Sequence, residues 1–311
     1  MSDATPAFVF PGQGAQKVGM GRALAEAFPV CRETFAEADG ALGEPLSRLC
    51  FEGPEDQLTL TENTQPALLC VSVAACRLLM AKGYQPAFVA GHSLGEYSAN
   101  VAAGTMSFAD ALTLVRQRGR YMQEAVPVGT GAMAAILGLD EEKVARACEE
   151  AGEGEVVSPA NLNGPGQVVI AGARAAVARA GERAKAAGAK RVVPLQVSAP
   201  FHCALMKPAE ERLAPELRAV RTQDPRLPIV ANVDAQPKRT ARGAIEALIA
   251  QVSAPVRWEA VVRRLASEGV TTYVEVGPGT VLSGLIRKIH RDASIASFGI
   301  PDDLAAVEAL L

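Results

Sequence analysis

The stretch Phe88–Ala99, FVAGHSLGEYSA, constrains what this chain can fold into more than any other. Phe88-Val89-Ala90 has the make-up of a buried strand end. Gly91-His92-Ser93-Leu94-Gly95 is a G-x-S-x-G turn, and from Glu96 onward the composition is helical. Read as strand, elbow and helix, this order puts Ser93 in a strained backbone conformation. The glycines two residues to either side let strand and helix approach without Cβ clashes. Ser93 is thereby lifted beside a helix N-terminus, where backbone N–H groups and the helix dipole favour developing negative charge. A bare G-x-S-x-G is also compatible with a coincidental Gly/Ser turn; the flanking strand and helix argue for the elbow.

The rest of the chain alternates strands and helices around that element. Ala7–Phe10 reads as a first buried strand stopped by Pro11-Gly12-Gln13-Gly14, with helical patterns following to about Leu60. A helix starts near Thr64, with Pro66 in its first turn, and stops at Gly83; another runs from a Ser107 N-cap to about Glu124. Between about Thr130 and Ser198 the order becomes β-α-β-β-α-β, the split βαβ arrangement of a ferredoxin-like unit. Beyond it, Leu205–Val220 is helical, Pro228–Val233 is a strand, and a helix precedes Gln251. Pro255–Ser267 is helical, Thr271–Val276 is a strand ended by Gly277-Pro278-Gly279, and a last helix carries Arg287 and Lys288. The expected fold is α/β: a hydrolase-like, mainly parallel sheet flanked by helices, formed by 1–127 and 198–311, with an inserted smaller ferredoxin-like α+β subdomain at 128–197.

Bulk properties exclude several functions. A net charge of −3 provides no global attraction for nucleic acid or anionic membrane. Six cysteines show neither C-x-x-C spacing nor clustering with histidine, which argues against a zinc site or a disulfide framework and suits a reducing compartment. The N-terminal segment has no basic stretch followed by an apolar run, so no signal peptide is expected and the protein is placed in the cytoplasm. Pro66–Met80, the most apolar long segment, is broken by Arg77, too short to span a bilayer, and reads as a buried helix.

A serine nucleophile needs a base, and the chain has three histidines. His92, adjacent to Ser93, should diverge from it and serve as support. His290 lies in the charged segment IRKIHRD and reads as solvated. His202, in Val197-Ser198-Ala199-Pro200-Phe201-His202-Cys203, sits where the small unit hands the chain back to the large one, a natural cleft edge. It is the candidate base, with a satisfied core histidine as the alternative. No Asp or Glu between Ser93 and His202 stands out as its orienter. On the helix to Glu124, Ala111, Val115, Gly119 and Met122 share a face, and Arg116 and Arg120 fall well outside it. Arg118, roughly 60° from Val115, lies inside the apolar sector. A buried guanidinium requires either a structural carboxylate partner or a ligand's carboxylate.

These residues carry a resemblance. The chain resembles the malonyl-CoA:acyl carrier protein transacylase family over nearly its whole length. The matches are Phe10–Gln16, Thr64–Ala67, Gly91–Ala99, Arg118-Gly119, Val197–Met206, Gln251–Trp258 and Glu275–Gly279. The resemblance implies transfer of a malonyl group from malonyl-CoA to the phosphopantetheine thiol of acyl carrier protein in fatty acid synthesis. The mechanism would be ping-pong through malonyl-Ser93, with His202 as base. It further implies that the backbone carbonyl of Gln251 orients His202 and that the backbone N–H groups of Gln13 and Leu94 form the oxyanion hole. Arg118 would bind the malonyl carboxylate, and Phe201, if not plain core packing, would favour unbranched malonyl. A serine esterase or thioesterase, a non-catalytic carrier-binding module and a transacylase of polyketide synthesis are the alternatives. No metal or redox cofactor is expected; the coenzyme A thioester is substrate. The chain is expected to act as a monomer. An acidic carrier needs a basic patch, for which Lys190, Arg191, Arg287 and Lys288 are candidates, a solvated face being the plainer explanation.

Overall fold

The computed structural model describes residues 5–311. In chain order its strands are β1 Pro6–Phe10, β2 Phe88–Gly91, β3 Gly131–Leu137, β4 Val157–Gly164, β5 Gln167–Ala173, β6 Arg191–Pro194, β7 Ile229–Val230, β8 Pro237–Lys238, β9 Thr272–Val276 and β10 Ser294–Phe298. Six form one sheet in the order β10-β9-β1-β2-β7-β8, parallel except for the short β7–β8 hairpin. The central register sets Phe8 beside Val89 and Val274, with Val9 beside Ala90 and Glu275.

These central strands are apolar without alternation because both sheet faces are covered. Phe8, Phe10, Val89, Val274 and Val276 join the larger core, with the helix Thr61–Ala81. Ala7, Val9, Ala90 and Tyr273 point the other way, toward Trp258, Val262 and Ile286 on the helices Trp258–Ser267 and Val281–Ile289. The helix Thr61–Ala81 begins earlier than the sequence pattern indicates, so Pro66 sits within it. At 21 residues and mean hydropathy 1.5 over its most apolar window it is long and apolar enough to cross a membrane, against the shorter segment expected. That window is 83% buried inside the protein, which makes it the core helix the pattern requires.

The second sheet, β4-β5-β3-β6, is antiparallel and has the ferredoxin-like strand order. Ile136, Val168 and Ile170 pack beneath the helices Glu141–Gly152 and Arg174–Ala186. Residues of alternate parity, Met133, Val169 and Ala171, join the larger core instead. The period-two alternation of β3 and β5 thus welds this sheet to the rest of the molecule.

Three local expectations are corrected. β10 was not evident in the sequence because Ser294 and Ser297 interrupt its apolar residues without a regular period at the edge of the sheet. The strand expected over Pro228–Val233 is only Ile229–Val230, since the chain turns to aim Asn232 inward. Arg116 is buried, not outside the apolar face, because Glu44 from the turn after the helix Pro29–Leu42 covers it and forms an ion pair.

Candidate active site

The elbow has the backbone its sequence demands. β2 ends at Gly91, the helix Gly95–Ala103 follows, and Ser93 between them has φ 51°. A non-glycine residue held there costs about 1–3 kcal/mol, compensated by its surroundings. A Cβ on Gly91 would lie 1.9 Å from the Gly95 carbonyl carbon, and one on Gly95 would lie 2.1 Å from the Phe10 carbonyl oxygen. These positions require glycine for close approach, not for a positive φ. The loop after β1 is held in the same way: a Cβ on Gly12 would meet the His92 carbonyl oxygen at 2.4 Å. Gln13 is thereby drawn into the cavity that contains Ser93.

His202 stands opposite, itself at φ 59°, on the turn before the short helix Ala204–Met206. Its Nε2 is 2.7 Å from Ser93 Oγ and its Nδ1 is 2.9 Å from the Gln251 carbonyl oxygen. A carbonyl only accepts, so Nδ1 carries the proton and Nε2 presents its lone pair to the serine hydroxyl. Burial, followed by the nearby Arg118 charge, lowers the pKa of His202 to about 3, so the imidazole is neutral. Ser93 donates its backbone N–H to Asn232 Oδ1 at 2.8 Å. The Leu94 N–H lies next in the chain at the N-cap of the elbow helix, where first-turn N–H groups have no intrahelical acceptor.

Arg118 is buried, and no carboxylate among the described residues lies within ion-pair distance of it. Its Nη1 donates to Gln65 Oε1 at 2.7 Å; its Nη2 donates to Gln251 Oε1 at 2.9 Å and to Ser93 Oγ at 3.2 Å. The guanidinium carbon is 5.5 Å from the centre of the Tyr97 ring, and Nε has no partner among the described residues. The helix carrying it packs closely because Gly119 has no side chain: a Cβ there would lie 2.6 Å from Glu62 Cα. The cavity, about 440 Å³, joins these polar groups to Met122, Met133, Leu195 and Phe201.

Ser93, His202, Gln251, Gln13, Leu94, Arg118 and Phe201, singled out from the sequence, are therefore brought to one place. Lys190, Arg191, Arg287 and Lys288 are elsewhere and exposed. Arg191 pairs with Leu137, Leu137 with Gln167, and Lys288 Nζ reaches Gln167 Oε1 at 3.5 Å, so residues distant in sequence share one end of the antiparallel sheet. Met133, in the cavity, is four residues back along β3, roughly 13 Å away. His92 is a support: Nε2 is 2.8 Å from Asn163 Oδ1, and its ring packs beside Trp258. His290 contacts the Tyr273 hydroxyl. All six cysteines are buried and free, and burial pushes the Cys203 thiol up to about 11.

Sequence reasoning missed the roles of Gln65, Glu96 and Asn232 in this network. Gln65 and Glu96 lay within quoted motifs, and their polarity on otherwise buried helices was the available signal. Asn232, after a two-residue strand, had none.

In a fold of this kind, a serine, a histidine and a buried arginine around one cavity are the groups that acyl transfer through a serine ester requires. The chain belongs to the acyl transferase domain family, whose model matches residues 7–302. It is 53% identical over 301 residues to the malonyl CoA-acyl carrier protein transacylase of Escherichia coli K12, covering 96% of this chain and 97% of that one. The Bacillus subtilis protein of the same name is 49% identical over 299 residues, covering 96% of this chain and 94% of that one. Among solved structures, an acyl carrier protein S-malonyltransferase from Vibrio cholerae aligns with TM-score 0.96 at 50% identity, covering 98% of this chain and all of that one. A malonyl-transacylase solved with a type II PKS acyl-carrier protein aligns with TM-score 0.96 at 50% identity, covering 99% of each chain.

Proposed function

We propose that this protein transfers a malonyl group from malonyl-CoA to the phosphopantetheine thiol of acyl carrier protein in fatty acid synthesis. The observation that carries this reading is Arg118: a buried guanidinium with only neutral acceptors, 3.2 Å from Ser93 Oγ. Malonyl brings the carboxylate that Arg118 lacks, whereas acetyl leaves it unpaired.

His202 Nε2 takes the Ser93 proton as Oγ attacks the thioester carbonyl. The backbone N–H groups of Gln13 and Leu94 hold the resulting oxyanion. Collapse forms the Ser93 O–C ester bond and breaks the C–S bond, and the proton passes from His202 to the departing coenzyme A sulfur. In the second half-reaction the carrier thiol gives its proton to His202 and attacks the ester. The carrier's C–S bond forms as the bond to Ser93 Oγ breaks, and the proton returns to the serine. The Gln251 carbonyl orients His202 throughout, stabilising an imidazolium less than a carboxylate would while still fixing the tautomer. Phe201 fills the cavity where a branch on the acyl chain would lie.

The unit formed by 1–127 and 198–311 carries the reacting groups, and 128–197 walls the cavity through Met133 and Leu195. Lys190, Arg191, Arg287 and Lys288 receive the acidic carrier, whose arm spans the distance from that end of the antiparallel sheet to Ser93. The enzyme works in the cytoplasm, without a bound cofactor and as a monomer; light scattering on the purified protein tests the last of these. A carrier of polyketide assembly is the second reading, favoured by the likeness to the transacylase solved with such a carrier.

Intact-mass spectrometry after exposure to malonyl-, acetyl- and methylmalonyl-CoA tests the central claim. A malonyl adduct on Ser93 that persists until carrier protein discharges it is expected. Rapid release of free malonate without a thiol acceptor would make the protein a thioesterase. Comparing discharge by fatty-acid and polyketide carriers separates the two transferase readings.

A further inference from the structure

Among the described residues, Glu96 is the one buried carboxylate in the network beneath Ser93, and the mechanism above gives it no task. Its Oε2 accepts from Gln251 Nε2 at 2.7 Å and from the Asn232 backbone N–H at 3.0 Å. Gln251 Nε2 also donates to the Ser93 carbonyl oxygen at 3.0 Å, while Gln251 Oε1 accepts from Arg118 Nη2 at 2.9 Å. The Gln251 amide is thus clamped between an acceptor-only carboxylate and a donor-only guanidinium. Only one orientation satisfies both. The flipped amide would set N–H groups against the guanidinium and its oxygen against the carboxylate.

We propose that Glu96 is a positioning residue that fixes the Gln251 side-chain amide and so holds Arg118 ready for an acyl group bearing a free carboxylate. This rests on the malonyl reading and adds a residue that sets its selectivity. A direct Glu96–Arg118 ion pair would occupy the guanidinium and exclude the substrate's carboxylate. Relayed through a neutral amide, the negative charge compensates the buried cation while leaving its immediate acceptors neutral. An incoming carboxylate displaces such acceptors, because hydrogen bonds between charged partners are the stronger ones. The same Gln251 holds His202 through its backbone carbonyl, which a change at Glu96 leaves in place.

The test compares acylation of Ser93 by malonyl-CoA and acetyl-CoA in wild type, Glu96→Gln, Gln251→Met and the double variant. Labelling of Ser93 by a neutral sulfonyl fluoride reports the serine–histidine pair independently of Arg118. Glu96→Gln offers Gln251 both a donor and an acceptor, so the orientation is no longer dictated. The expected result is a loss of about tenfold or more in kcat/KM for malonyl-CoA, carried mainly by KM, with acetyl-CoA and sulfonyl fluoride rates within about twofold of wild type. Gln251→Met should lower malonyl acylation at least as much, and the double variant should lose no more malonyl activity than the larger single loss. Equal losses for malonyl, acetyl and sulfonyl fluoride, no loss at all, or additive losses in the double variant would overturn the proposal.

Should Glu96→Gln fail to fold, wild type supplies the second measurement. Burial, opposed by the bonds from Gln251 and Asn232, raises the Glu96 carboxyl to about 7. Arg118 from the helix Phe108–Glu124, Asp234 from the β7–β8 turn and Tyr97 on its own helix face it, with His202 beyond Gln251. The malonyl-to-acetyl ratio should therefore fall between pH 8 and pH 6, and a flat ratio would overturn the proposal. Wild-type Ser93 that accepts no malonyl at any pH would instead defeat the underlying functional reading.

Discussion

The Arg118 charge reinforces what burial does to His202. The guanidinium stands 3.2 Å from the serine oxygen that the imidazole also holds, and its charge adds to burial in keeping that imidazole neutral. Replacing Arg118 by Ala should cut kcat/KM for malonyl-CoA by about 10²–10³ and improve acetyl transfer relative to it, since a buried charge-to-carboxylate pairing is lost. Steady-state kinetics with both thioesters check this; an unchanged preference would remove Arg118 from selection. His202 also carries a pH signature. Its folded-state pKa of about 3 lies below the ordinary histidine value, so below about pH 6.5 the unfolded chain takes up a proton the native protein refuses. The stability contribution is present above about pH 6.5 and drains away toward about pH 3, by up to ~1.4 kcal/mol per pH unit. Urea unfolding of wild type and His202→Ala at pH 7.5 and 5 should show wild type losing the more stability; parallel losses would contradict a buried neutral imidazole.

At the scale of elements, the strand-to-helix elbow is set by contacts that leave no room for a methyl group. Gly91→Ala puts its Cβ within 1.9 Å of backbone that cannot move independently, and a loss of about 3 kcal/mol or more is expected by urea unfolding, together with loss of Ser93 acylation. Gly119→Ala meets the Glu62 backbone at 2.6 Å and should push apart the helices Thr61–Ala81 and Phe108–Glu124, raising KM for malonyl-CoA by displacing Arg118 from Gln65. The elbow was legible in the sequence because its signal is local: glycine spacing, an apolar run before and helix formers after. The inward aim of Arg118 was legible from helical periodicity, whereas the burial of Arg116 was not. Periodicity measures one helix against itself, and the carboxylate covering Arg116 comes from the turn beyond another helix.

Over the whole molecule, the two sheets meet at the site. Asn163 of β4 bonds His92 of the elbow, Asn161 bridges to Val256, and β3 runs from the acyl cavity toward the exposed basic cluster. If that cluster receives the carrier, Arg191→Glu with Arg287→Glu should raise KM for carrier protein several-fold while leaving formation of malonyl-Ser93 from malonyl-CoA unchanged. Transfer to carrier should also weaken with added salt in wild type more than in the variant. Equal effects on both half-reactions would argue for a general structural role.

The amino-acid sequence by itself determined the elbow, the alternation of strands and helices, the ferredoxin-like insertion and the presence of an inward arginine. Each depends on spacing within one segment. Only the tertiary structure decided what those residues meet: that the acceptor for His202 is a carbonyl at Gln251, that Arg118 has neutral neighbours, and that Glu96, Gln65 and Asn232 complete the network. Those partners lie 49 to 158 residues apart along the chain in the bonds that matter, among them His202 to Gln251, Arg118 to Gln65 and Gln251 to Ser93. Hydrogen bonds across such separations follow from how the sheets and helices pack, and no local pattern encodes them.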